Sequence, residues 1–115
     1  MNSLHIIPEP NLLYQRQVIN LEFEKGTKRV VFELRYLFRT DKWYFSLFDA
    51  QTSAVICSYV PLVASYEYMN NLLEPFGHKN IGWLVCFPVV DEPSSEDPTQ
   101  YNLSEFAIVW GDTLE

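Results

Sequence analysis

The groups able to do acid–base, nucleophilic or metal chemistry are two histidines, two cysteines and fifteen carboxylates. His5 and His78 have no Ser, Cys, Asp or Glu at a spacing that would activate a nucleophile, so no hydrolytic triad is read. Cys57 and Cys86 sit in the apolar stretches AVICSYV and GWLVCFPVV, where a thiol behaves as a small buried hydrophobe. A disulfide between them is unneeded at this core size, and a reducing compartment disfavours it. Asp91, Glu92, Glu96 and Asp97 could gather around a hard cation such as calcium. The alternating ligands, central Gly and terminal Glu of an EF-hand loop are absent, so the expectation is a solvated acidic loop. Glu33 and Asp49 could share acid–base work only in a cleft that fixes their separation. Gly26, Gly77, Gly82 and Gly111 are isolated and build no phosphate-cradling loop. No catalytic residue, cofactor or metal ligand is assigned.

Two bulk properties narrow the remaining classes. Lys plus Arg is 8 against 15 for Asp plus Glu, a net charge of −7, which opposes attraction to phosphate backbones or anionic lipid. Up to Ala50 there are seven basic residues and six acids; beyond it, Lys79 stands against nine acids. Such an asymmetry can orient a subunit against a partner. No apolar run approaches the ~18 residues that span a bilayer, and MNSLHIIPEP lacks the basic and apolar regions of a leader. The expectation is a chain that is neither a secreted precursor nor a membrane protein and that binds no nucleic acid. The aromatic content, 16%, is rich for 115 residues. Most of it is expected in the core, though surface Trp and Tyr of a small barrel, for example Trp43 or Trp83, could hold a carbohydrate or other small ligand.

The elements that must position these residues are mostly strands, because apolar side chains recur with period two and β-branched and aromatic types dominate. Gln17–Phe23 leads through Glu24-Lys25-Gly26-Thr27 into a hairpin. On the next run Val30, Phe32, Leu34, Tyr36 and Phe38 point one way, against Val31, Glu33, Arg35 and Leu37. After the turn Arg39–Lys42, the residues Trp43, Phe45 and Leu47 alternate with Tyr44, Ser46 and Phe48 up to Asp49. Ala54–Val60 is a strand that Pro61 ends for want of an N–H. Ser65–Leu73 is the helical candidate, with Ser65 as cap and Tyr66, Met69, Asn70 and Leu73 on one face. Ile81–Val90, apolar without alternation, reads as a central strand, either buried on both faces or bent near Pro88. Asp91–Leu103 reads as a long exposed loop, and Phe106–Trp110 as the closing strand. The sum is a mainly β chain: one domain over residues 1–115, a small barrel or sandwich of about seven strands with one short helix.

The start of the chain is unusually apolar: Leu4, Ile6 and Ile7, then Pro8-Glu9-Pro10, then Leu12, Leu13 and Tyr14. Residues 1–14 are either a terminal arm that adds to a neighbour's sheet edge or the first strand of the chain's own sheet.

The order of these features resembles a known family. An apolar strand ends at Ile7-Pro8, and the Gln-containing strand Tyr14–Leu21 follows. Next come Trp43-Tyr44-Phe45-Ser46-Leu47-Phe48-Asp49, then Pro61-Leu62-Val63 and the pair Leu72-Leu73. Gly82-Trp83-Leu84, the acidic loop with Asp97-Pro98, and a short aromatic strand ending at Trp110 complete the pattern. In this order and spacing the chain resembles the baseplate plug family of contractile-tailed phages, of the cyanophage type. It departs by having no glycine in the turn after Asp49 and by Ala64-Ser65 where the family tends to place Pro-Gly. The resemblance implies a structural virion component of the tail baseplate with no catalysis, assembled in the host cytoplasm beside hub, central spike and tail-tube proteins. It also implies several copies in a threefold or sixfold arrangement in the assembled particle, which is compatible with a monomer when isolated. The contact segments expected are Leu4–Tyr14, through Leu4, Ile6, Ile7, Leu12 and Tyr14, and Asp91–Tyr101, through Asp91, Glu92, Asp97 and Tyr101.

Overall fold

Alternation of apolar and polar side chains dictates two antiparallel sheets. The computed structural model describes residues 3–9, 12–23, 26–66, 70–75, 82–99 and 102–111. Among them are seven strands: β1 (Ser3–Ile6), β2 (Tyr14–Phe23), β3 (Gly26–Leu37), β4 (Lys42–Asp49), β5 (Val55–Pro61), β6 (Trp83–Pro88) and β7 (Phe106–Gly111). The larger sheet is a meander in the order β2-β3-β4-β5; the smaller has the order β1-β7-β6. The sheets stay separate rather than closing on themselves, so the sandwich-like alternative describes the fold and the barrel does not.

The inward face of the meander is the one read from the alternation. Val30, Phe32, Leu34 and Tyr36 of β3 are buried, in register with Asp49, Leu47, Phe45 and Trp43 of β4. The Phe32 and Phe45 rings stack at 5.8 Å between centroids, and Tyr36 meets Trp43 edge-on at 5.4 Å. Ile6, Leu84, Cys86, Ile108 and Trp110 from the smaller sheet belong to the same core cluster. Each such side chain, fully buried, contributes about 1.5–3 kcal/mol, so this interface dominates stability. Phe38 is an exception: β3 ends at Leu37, and Phe38 lies exposed at the start of the turn to β4.

Three expectations need correction. β6 is not central, because β7 occupies that place. The flank of β6 away from β7 is closed by irregular chain: Ser65 N donates to Cys86 O at 2.7 Å, Leu72 N to Leu84 O at 2.9 Å, and Leu84 N to Asn71 Oδ1 at 3.1 Å. The helical candidate Ser65–Leu73 is not helical at either described end. Ser65 Oγ does accept a backbone N–H, but from Asn70, five residues on, and the Leu72 N–H that a helix needs is committed to β6. Met69 lies outside the described residues. The segment Asp91–Leu103 is not simply exposed, because Pro98, Asn102 and Leu103 within it are buried.

The edges of the sandwich differ. β1 is a strand of the chain's own sheet, paired with β7 through Leu4↔Trp110 and Ile6↔Ile108. The meander ends in β2 and β5, and β5 carries a bulge where its register with β4 shifts on either side of Leu47. At that bulge Tyr59 adopts φ 52°, a left-handed conformation costing a non-glycine residue about 1–2 kcal/mol. Ser53, in the turn where the family resemblance implies a glycine, also has a positive φ, 62°.

Candidate interaction surfaces

The acidic loop is strapped to the end of the sandwich. Trp43, fully buried in β4, donates its indole N–H to Thr99 O at 2.8 Å, and Ala64 N donates to Asp97 Oδ1 at 2.9 Å. Asn102, only 3% exposed, is the internal clasp. Its Oδ1 accepts from Thr99 N at 2.5 Å and Thr99 Oγ1 at 2.8 Å, and its Nδ2 donates to Ser95 Oγ at 2.7 Å. Glu105 accepts from Ser94 N and Ser94 Oγ, both at 2.8 Å, and Val89 N donates to Glu105 O, closing the neck. Asp91, Glu92 and Glu96 are left outward and exposed, while Asp97 is turned partly inward. That carboxylate has consequences nearby. Burial, then Asp97, pushes the Cys86 thiol from 9.0 up to about 12. The half-exposed Tyr66 phenol is also raised, by desolvation first and then by Asp97 and Glu96. Cys57 and Cys86 are both buried, as expected.

The N-terminal segment lies beside this loop. Ile6 is in the core, whereas Leu4, Leu12 and Tyr14 are exposed and Ile7 is 81% exposed. The side chain of Gln15 fixes the path that follows β1, accepting from Glu9 N at 2.7 Å and donating to Glu9 O at 2.9 Å. An apolar recess of about 470 Å³ separates the two predicted contact segments, with Ile6, Ile7 and Pro8 on one wall and Val89, Leu103 and Phe106 on the other. The structure thus brings His5–Pro8 and the root of the acidic loop to one recess. Ile6, 4% exposed, belongs mainly to the core and offers the recess little accessible surface, and Tyr101 lies outside the described residues.

A third surface escaped the sequence reading: the outward face of the meander. Arg35 lies with its guanidinium carbon 4.5 Å above the Tyr14 ring and 5.9 Å from that of Tyr59, and donates to Tyr59 Oη at 3.2 Å. Glu33 is shared between Arg16 at 3.6 Å and Arg35 at 3.7 Å, and also accepts from Tyr14 Oη at 3.1 Å. Arg16 reaches the Phe48 ring at 5.8 Å. Arg35 Nε is buried with no hydrogen-bond partner among the described residues. The strained bulge at Tyr59, whose N–H is taken by Ser46 Oγ at 3.0 Å, is what places that ring here. The available signal was the register of β2 on β3, which sets Arg16 opposite Glu33 and Tyr14 opposite Arg35.

The other candidates resolve into structural roles. Glu33 serves the arginines, and Asp49 Oδ1 accepts from Gln51 N and Thr52 N in its turn, so the two carboxylates share no cleft. Trp43 has no accessible surface, and the half-buried Trp83 packs its indole over Gly111. Trp43 therefore has no face free for a sugar, while Trp83 has one side of its indole against Gly111. His78 lies outside the described residues.

What decides among assembly roles is a family match. The family described as cyanophage baseplate Pam3 plug gp18 matches residues 4–113. The chain belongs to this baseplate plug family. The match spans both sheets, the recess and the acidic loop, so it covers every surface described above. Membership gives the chain a structural role at the tail baseplate of a phage virion, alongside other baseplate proteins. No curated relative matches the chain.

Proposed function

We propose that the chain is a structural baseplate subunit that binds hub, central spike and tail-tube proteins during assembly of a contractile tail or a related injection particle. The observation that carries this reading is the family match over residues 4–113. It is supported by the shared recess, which joins an exposed apolar segment ending at Ile7 to the root of an acidic loop. A subunit of net charge −7 stays soluble until it meets its neighbours, and main-chain and apolar contacts at one surface then fix its seat. In the particle it is present in several copies, in a threefold or sixfold arrangement set by its neighbours.

The test is mass spectrometry of purified intact particles, with cross-linking. Cross-links from residues 4–14 or 91–101 to hub, spike or tube proteins are expected; absence from particles despite expression overturns the proposal. Ile7→Asp is the variant to use, because deleting residues 1–10 would also remove Ile6 from the core.

A further inference from the structure

We propose that copies of this chain associate head to tail, the acidic loop of one copy docking on the outward Arg–Tyr face of the meander of the next. The proposal rests on the reading above only in taking the acidic loop as a contact segment. Charge identifies the occupant. Among residues whose side chains are described, the outward positions of β2–β4 hold Arg16, Arg29, Arg35 and Lys42 against one carboxylate, Glu33, which two of the arginines already share. On a chain of net charge −7 this face is an island of positive charge, and its partner must be acidic. The same chain supplies one: residues 82–99 contain no Lys or Arg, and Asp91, Glu92 and Glu96 point outward there.

The apolar parts match as well. Val89 and Val90, both exposed, immediately precede Asp91-Glu92, and the face sets the exposed Val18 and Val55 around Arg16 and Phe48. Tyr14, Arg35 and Tyr59 are the residue types that anchor interfaces, held rigid by mutual stacking. The Arg35 side chain is 37% exposed, so its guanidinium can still take an incoming carboxylate. Because each copy carries both halves, the contact is heterologous, and repetition closes a ring where the rotation permits. Four strands about 4.8 Å apart give a face roughly 14 Å wide, at the small end for a specific interface, so a single contact is weak and salt-sensitive.

The test is sedimentation velocity of concentrated protein at about 0.01 M and about 1 M salt, where the Debye length is about 30 Å and 3 Å. Self-association at low salt that dissolves at high salt is expected; a monomer under both conditions overturns the proposal. Asp91→Lys with Glu92→Lys changes only exposed side chains, and should weaken association by more than about tenfold. Arg16→Glu with Arg35→Glu should do the same, with folding checked by circular dichroism. Mixing the two variants is decisive. Each retains one native half of the contact and the two reversed halves complement each other, so association absent from either variant alone is expected to return in the 1:1 mixture, whereas no association refutes the head-to-tail arrangement. If the face variant fails to fold, Val18→Glu replaces it. Particle mass spectrometry reads the baseplate role and sedimentation reads this contact, so failure of one is distinguishable from failure of the other.

Discussion

Replacing Asn102 with alanine should release the acidic loop while leaving both sheets intact. The side chain makes three hydrogen bonds at 2.5–2.8 Å in a nearly closed site. At about 0.5–1.5 kcal/mol net for each, the gross loss is about 1.5–4.5 kcal/mol. The Thr99 and Ser95 hydroxyls can rotate toward water, but the Thr99 N–H is fixed in the backbone and loses its acceptor, so that one orphaned donor dominates. The expected cost is about 2 kcal/mol. With a urea m-value of about 1.3 kcal/mol/M, the midpoint falls by about 1.5 M. Hydrogen exchange at the Thr99 amide should accelerate by about 30-fold. Asn102→Asp keeps the acceptor for Thr99 and loses the donor to Ser95, so it should fall between wild type and alanine. A midpoint shift below about 0.3 M for the alanine variant would refute the clasp.

Two further predictions concern packing and pH. An alanine Cβ at Gly111 would fall inside the Trp83 indole at Cζ2 and Cε2, so Gly111→Ala should destabilise by about 1–3 kcal/mol in urea titration, with Trp83→Leu in the same chain recovering most of it. For Cys86, whose thiol is raised from 9.0 to about 12, both folded and unfolded chains hold the proton below about pH 9 and the thiol contributes no pH dependence. As pH rises from about 9 toward 12 the unfolded chain ionises first, so stability should fall, with a slope approaching 1.4 kcal/mol per pH unit. Unfolding titrations between pH 8 and 10.5 check this: Cys86→Val should flatten the curve, and an unchanged slope in that variant sinks the assignment.

Strands were legible wherever one face is buried and the other solvated. β3 shows this well, because Val30–Tyr36 alternate without interruption; its partner β4 keeps Trp43, Phe45 and Leu47 inward, with Ser46 also buried where the bulge of β5 covers it. Lateral order was not legible: the β6 run announces burial on both faces, and Val85 and Cys86 are both buried, but nothing local says that its flank is closed by Asn71–Leu72 rather than by a strand. The helical reading of Ser65–Leu73 failed for the same reason, since periodicity cannot register a backbone N–H drawn away by another element. In the acidic loop the outward carboxylates were read correctly, while its clasp was hidden because Asn102, Thr99 and Ser95 have the composition of any exposed loop. The Arg–Tyr face depends on strand register and on the bulge at Tyr59, neither of which composition records.

The pairing of β1 with β7 fixes an order of events during synthesis. β2–β5 are joined by short turns between sequence neighbours, so the meander can form as it emerges from the ribosome. Residues 3–6 have their sheet partner in residues 106–111, about one hundred positions later. At about 5–20 residues per second, the first strand waits roughly 5–20 s for the last. During that wait the inner face of the meander, with Phe32, Leu34, Trp43 and Phe45, has no second layer to cover it. The smaller sheet therefore acts as the closing step of folding, and a chain halted before Phe106 keeps its meander but leaves that apolar face open to solvent and to aggregation.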